Sequence, residues 1–174
     1  MYAILPKAKP IRLLILDVDG VLTNGQLFFD NKGEEYKLFH VRDGHGIKLL
    51  QQTGVIVAVM SGRYSAIVTQ RLQQLGIKYL YQNVENKRLL FQQLLIELNI
   101  TAEQTAYVGD DWIDLPVMTQ VGLAIAVQDA HHEVKTIAHY VTQQAGGLGA
   151  VREVCDLIMQ AQQTFTPLLA RYLS

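Results

Sequence analysis

Residues 11–20 read Ile-Arg-Leu-Leu-Ile-Leu-Asp-Val-Asp-Gly, a short apolar run that stops at two carboxylates and a glycine. A run this brief, apolar on both faces, is the pattern of a strand buried inside a parallel sheet. Ile11–Leu16 has counterparts further along the chain: Val55–Met60, Tyr79–Tyr81, Ala106–Val108 and Leu123–Val127. Between these runs, His45–Gln52, Ala66–Leu75, Lys87–Leu98 and Leu115–Gln120 read as helices, several of them stopped by Gly54, Gly76 or Asn99. Strand alternating with helix implies right-handed crossovers. The expected fold is therefore α/β, a doubly wound parallel sheet covered on both faces. The 174 residues are the length of one domain, so residues 1–174 are expected to share one core.

Composition removes several function classes. Fifteen basic residues balance sixteen acidic ones and no basic run stands out. That leaves no electrostatic footprint for nucleic acid or an anionic membrane. Apolar stretches such as Val55–Met60 are too short to span a bilayer, and Ile11–Leu16 runs into Asp17 without the small-residue cleavage site of a secretory signal. Cys155 is the one cysteine, which excludes an internal disulfide and suits a reducing cytoplasm. Val151, Val154, Cys155 and Ile158 recur at helical spacing, so the thiol is expected in the core.

One segment departs from the alternation. From Gln26 to Val41, two aromatic-rich runs flank Asp30-Asn31-Lys32-Gly33, a hairpin signal. An isolated hairpin needs cover for its apolar face. It either folds onto its own domain or pairs with copies of itself. Leu27, Phe28, Phe29, Tyr36, Leu38 and Phe39 are many apolar groups for one arm, which favours self-association. Thr164–Ser174, which contains Pro167, is expected to form a tail free to move.

Parallel α/β sheets hold their ligands at the carboxyl ends of the strands. The strand ends here deliver Asp17-Val18-Asp19-Gly20, Ser61-Gly62-Arg63 and Gly109-Asp110-Asp111, with Lys87 and Asp114 close behind. Phosphoryl transfer asks for this set. Cations must neutralise a dianionic phosphate before a carboxylate can attack it, and a hard ion such as magnesium takes oxygen ligands. One of Asp17 and Asp19 can attack phosphorus while the other handles the leaving-group proton. Ser61, the N–H groups around Gly62, and Lys87 at a helix start can bind phosphate oxygens. Taken singly, Ser61 is equally an ordinary loop residue and Lys87 an exposed helix charge. Stacked carboxylates after an apolar strand, followed in order by Ser, Lys and Gly-Asp-Asp-x-x-Asp, are not so easily dismissed.

Asp17-Val18-Asp19-Gly20-Val21-Leu22-Thr23, Ser61-Gly62-Arg63, Lys87 and Gly109-Asp110-Asp111-Trp112-Ile113-Asp114 resemble the four motifs of the haloacid-dehalogenase phosphatase superfamily. The likeness extends through Val41-Arg42-Asp43-Gly44 and Gly146-Gly147-Leu148-Gly149-Ala150-Val151-Arg152-Glu153. The resemblance implies that Asp17 is the nucleophile and Asp19 the general acid/base. Magnesium is implied on the Asp17 carboxylate, the Asp19 carbonyl and the Asp110 carboxylate, with Asp111 and Asp114 in or next to that shell. Ser61, Gly62 and Lys87 are implied to hold phosphate. Gly20 to Gly44 has room only for the hairpin, so a capless member is implied, and capless relatives assemble as homotetramers through such hairpins. The substrate class implied is a small sugar-acid phosphate of lipopolysaccharide synthesis. A nine-carbon sialic-acid-type phosphate and a non-catalytic oligomerisation module are the alternatives. Arg63, whose planar guanidinium suits a carboxylate, is the candidate for specificity, set against a plain loop-capping role.

Other signals are set aside. Gly147-Leu148-Gly149 lacks the third glycine of a dinucleotide loop. The five histidines show no zinc spacing. His45 is expected to be structural, and Trp112 is expected to pack beneath the acidic loop.

Overall fold

A computed structural model describes residues 4–173. Its centre is β1 (Leu13–Leu16), every residue of which is buried. β4 (Ile56–Met60) pairs with one edge of β1 and β6 (Thr105–Gly109) with the other, both parallel. β5 (Tyr79–Tyr81) lies outside β4, and β7 (Leu123–Ala126) outside β6. The predicted doubly wound sheet is thus present, in the order β5-β4-β1-β6-β7-β8. Its sixth strand, β8 (Tyr140–Val141), was not anticipated, because two part-exposed residues carry no periodicity.

The chain winds outward from β1 on one side and then returns to the other, so the order reverses between β1 and β6. That reversal opens a crevice at the carboxyl ends of the two strands. Asp17 follows the first and Asp110 the second, which is why residues 93 positions apart become neighbours.

The helices are α1 (Leu5–Ala8), α2 (Val41–Gln52), α3 (Ala66–Gln74), α4 (Lys87–Leu98), α5 (Leu115–Met118), α6 (His132–Ile137), α7 (Ala150–Ala161) and α8 (Phe165–Ala170). α1, α2 and α8 pack on α7, while α4 and α6 pack on α5, the two groups covering the sheet. α2 begins four residues before the predicted His45. Gly44 and Gly46 weaken the helical signal, but tertiary packing requires them: a Cβ on Gly46 would lie 3.3 Å from the Cα of Arg152. Asp43 joins the same two helices, its Oδ1 accepting from the Arg152 N–H at 2.7 Å. The motifs at residues 41–44 and 146–153 are therefore the two halves of one helix–helix contact.

The hairpin is real but short. β2 (Phe28–Phe29) pairs antiparallel with β3 (Glu35–Tyr36) across the expected turn, where Asp30 Oδ1 accepts from the N–H groups of Lys32 and Glu34. The arm ends before Val41, which already belongs to α2. Phe39 turns into the core, whereas Leu27, Phe28, Phe29, Tyr36 and Leu38 stay exposed, Leu38 to 78%. Within residues 164–173, α8 packs on α7 and buries Leu168. Cys155 is buried as expected, and burial pushes its thiol far above the usual range. No described helix is long and apolar enough to cross a membrane.

Candidate active site

Each strand end delivers its side chain for a local reason. Asp17 closes the all-apolar β1 and is itself buried, its N–H donating to the Val108 carbonyl at 3.1 Å. Gly20 then turns the loop at φ +89°, and a Cβ there would lie 2.0 Å from Asp110 Oδ2. Only glycine lets the loop run this close to the carboxylate. Gly146 supports the loop from the other side, where a Cβ would lie 1.7 Å from the Gly20 carbonyl oxygen. Asn86 caps α4 by accepting from the Leu89 N–H at 3.0 Å, which places Lys87 in the first turn.

These elements bring one ammonium among the carboxylates. Lys87 Nζ lies 2.7 Å from Asp17 Oδ1, 2.7 Å from Asp114 Oδ1 and 3.1 Å from the Tyr107 hydroxyl. Tyr107 donates to Asp114 Oδ1 at 2.6 Å, and Asp114 Oδ2 accepts from the N–H groups of Asp110 at 2.9 Å and Asp111 at 3.3 Å. Both oxygens of Asp114 are therefore occupied by protein donors. Carboxylate oxygens of Asp17, Asp110 and Asp114 all lie within 4.8 Å of one another. Burial, then the Asp114 charge, push Asp17 up to about 7 against the pull of Lys87. Burial, then Asp17 and Asp114, push Asp110 up to about 8. Burial alone would lower Lys87, but Asp17 and Asp114 outweigh it and raise the ammonium's value. A single cation against three carboxylates leaves the cluster short of positive charge.

The other predicted residues fall around this cluster. Ser61 is buried at the end of β4, beside β1, and its Oγ accepts from the Arg63 N–H at 3.2 Å. Gly62 and Arg63 are exposed, with the Arg63 guanidinium donating to Glu35 of the hairpin at 2.9 Å. Asp19 is part-exposed and ion-paired to Lys37. Asp111 is exposed and caps the turn by accepting from the Trp112 N–H at 2.8 Å. The expectation for Trp112 fails: the indole is 59% exposed and donates to His131 Nδ1 at 3.0 Å, since the turn after Asp111 carries it outward. His45 is also exposed, edge-on to Tyr172.

Three residues of this region escaped the sequence reading. Tyr107 lies within an apolar strand run, and its one signal is that a buried phenol needs a hydrogen-bond partner. Lys37 and Glu35 belong to the hairpin signal and to none of the four motifs. Two charges alternating with apolar neighbours were the available signal. The 360 Å³ cleft lined by Arg42, Tyr140, Arg152 and Glu153 shares no residue with the carboxylate cluster.

Residues 80–154 match the family model for haloacid dehalogenase-like hydrolases. The 3-deoxy-D-manno-octulosonate 8-phosphate phosphatase of Escherichia coli K12 is 53% identical over 159 residues, covering 91% of this chain and 85% of the relative. A crystal structure of the Moraxella catarrhalis enzyme of that name, in complex with magnesium ion, phosphate ion and KDO, superposes with a TM-score of 0.96 at 40% identity, covering 99% of each chain. The cobalt-bound deoxy-D-mannose-octulosonate 8-phosphate phosphatase of Haemophilus influenzae gives 0.91 at 44% identity, covering 97% of this chain and 99% of that one.

Proposed function

This chain belongs to the 3-deoxy-D-manno-octulosonate 8-phosphate phosphatases among the haloacid dehalogenase-like hydrolases, and from that membership we infer that it hydrolyses this sugar-acid phosphate with magnesium, in lipopolysaccharide sugar synthesis. The observation that carries the reading is the convergence of the Asp17, Asp110 and Asp114 carboxylates, with Lys87 paired to Asp17 and Asp114, at the point where the strand order reverses.

The donor set fits magnesium. It is all oxygen, and it is short of positive charge. Asp17 and Asp110 supply the carboxylates and Asp19 its backbone carbonyl, as the motif resemblance implies. Asp114, with both oxygens taken by Lys87, Tyr107 and backbone N–H groups, positions its neighbours instead. Asp111 stands outside as a cap. The ion, when bound, supplies the charge neutralisation that lets an anionic nucleophile meet an anionic ester.

The residues divide the work. Asp17 attacks phosphorus, forming a carboxylate–phosphorus bond as the ester oxygen leaves. Asp19 gives that oxygen a proton, then takes one from the water that hydrolyses the aspartyl-phosphate, returning Asp17 and releasing inorganic phosphate. Ser61, the Gly62 N–H and Lys87 hold the phosphoryl oxygens, and Lys87 also fixes the direction of the Asp17 carboxylate. Arg63, on the rim, faces the sugar-acid carboxylate.

Phosphate release from a panel of sugar phosphates with magnesium tests the reading. The eight-carbon acid is expected to be cleaved best. Preference for a nine-carbon acid would move the substrate, and no release from any ester would leave a non-catalytic module. In the same panel, Arg63→Ala is expected to raise KM for the sugar acid far more than for p-nitrophenyl phosphate, and equal effects would remove Arg63 from specificity.

The exposed Leu27, Phe28, Phe29, Tyr36 and Leu38 support a homotetramer built through the hairpins, with a neighbour completing each pocket. Sedimentation equilibrium is expected to give a tetramer's mass, and a monomer at micromolar concentration would end that reading. A cytoplasmic location is supported by the buried, unpaired Cys155.

A further inference from the structure

The hairpin is joined to the sheet edge through a chain of four charges. Lys37 Nζ pairs with Asp19 Oδ1 and stands 3.4 Å from Glu35 Oε1, and that oxygen accepts from Arg63 Nη2 at 2.9 Å. The Lys37 side chain is only 2% exposed. Burying an ammonium is expensive unless its acceptors are fixed, and a surface lysine on a solvated arm would have no reason to be here.

Its place relative to the reaction follows from the proposed function, on which this inference rests. Asp17 is turned inward to Lys87, whereas Asp19, two residues on, is turned outward to the hairpin. In phosphoryl transfer the departing oxygen lies opposite the nucleophile, hence on the Asp19 side. An ammonium is a donor only, and a protonated carboxyl accepts best through its carbonyl oxygen, so with Lys37 donating to Oδ1 the proton of the acid form favours Oδ2. The proton for the leaving oxygen is thereby directed to Oδ2, with the carboxyl plane fixed by the contact at Oδ1.

We propose that Lys37 is a positioning residue for the leaving-group proton transfer: by holding Asp19 Oδ1 it assigns the transferable proton to Oδ2 and couples the seating of the hairpin to cleavage of the ester. Glu35 anchors the ammonium from its other side and ties it to Arg63. A hairpin displaced from the site would release Asp19 and lose acid catalysis while the phosphate-binding residues stayed in place.

Leaving groups that need a proton separate this role from a structural one. The value of kcat/KM includes steps only through ester cleavage. Lys37→Met is expected to lower kcat/KM for an alkyl phosphate by at least about tenfold more than for p-nitrophenyl phosphate, whose leaving group departs as a stable anion. Lys37→Arg is expected to recover most of that difference. Equal losses on the two esters, or no loss on the alkyl ester, would overturn the proposal. If Lys37→Met does not fold, the same ratio measured on Lys37→Gln decides. The ratio can be taken with any alkyl phosphate the wild type cleaves, so a wrong sugar assignment fails in the substrate panel and leaves this test standing.

Discussion

Asp17→Asn is expected to release no measurable phosphate from any ester, a loss of about 10⁴-fold or more, the scale on which removal of a nucleophile registers. The amide is nearly the same size, so it still fits at the end of β1 beside Lys87, but it cannot form the acyl-phosphate. Folding is expected to survive and even gain. In the metal-free protein Asp17 titrates near 7 rather than its ordinary 3.8, because it is buried beside the Asp114 charge. Between those values the folded state holds a proton that the unfolded chain has released. Stability of the metal-free protein therefore falls as pH rises from about 4 to about 7, with Asp110 extending the decline to about 8. Thermal melts in chelator at pH 5 and pH 8 check this. Wild type is expected to melt lower at pH 8, magnesium to restore much of the difference, and Asp17→Asn to show a shallower decline. A variant that keeps turnover would remove Asp17 as nucleophile, and a wild-type melt that rises with pH would refute the reading of the cluster's charge.

What the sequence made legible follows from which residues act locally. Leu13–Leu16 had to be a buried strand, and carboxylates directly after it needed a cation, so Asp17 and Asp19 stood out at once. Lys87 was legible through the helix starting at it. Non-local geometry was not. That Asp114 rather than Asp111 faces the cluster depends on the turn at residues 112–114, which spins Asp111 and Trp112 outward and returns Asp114 inward. The Lys37–Asp19 pair depends on how the hairpin lies against the sheet edge, and no spacing along the chain encodes that. β8 is too short for periodicity to register, and the start of α2 was hidden by glycines whose purpose is contact with α7.

Lys87→Met is the substitution expected to damage folding and chemistry together. The position is a poor one for a lysine on helical grounds alone, since a cation in the first turn opposes the helix dipole, at roughly 0.3–1 kcal/mol. Burial adds a further penalty. What holds the ammonium there is the pair of 2.7 Å contacts to Asp17 and Asp114. Methionine removes the charge but not the carboxylates, leaving two buried anions and the Tyr107 hydroxyl without their common partner, at a cost of about 3–5 kcal/mol. With magnesium and saturating substrate, kcat is expected to fall roughly 10²–10³-fold, as when one preorganised donor is lost from a transition state. Two effects on one residue invite the objection that lost activity is only lost structure, so kcat is read on the folded Lys87→Met protein and the charge balance is tested separately by a double-mutant cycle in stability. Adding Asp17→Asn removes one of the stranded charges, so the double variant is expected to melt higher than Lys87→Met alone, by a non-additive margin. Strict additivity, or a Lys87→Met protein with wild-type melting and turnover, would mean that Lys87 does not balance these carboxylates in solution. A Lys87→Met protein that is fully folded at the assay temperature yet keeps the lowered kcat would separate the two roles, since the double variant lacks the nucleophile and reports on stability alone.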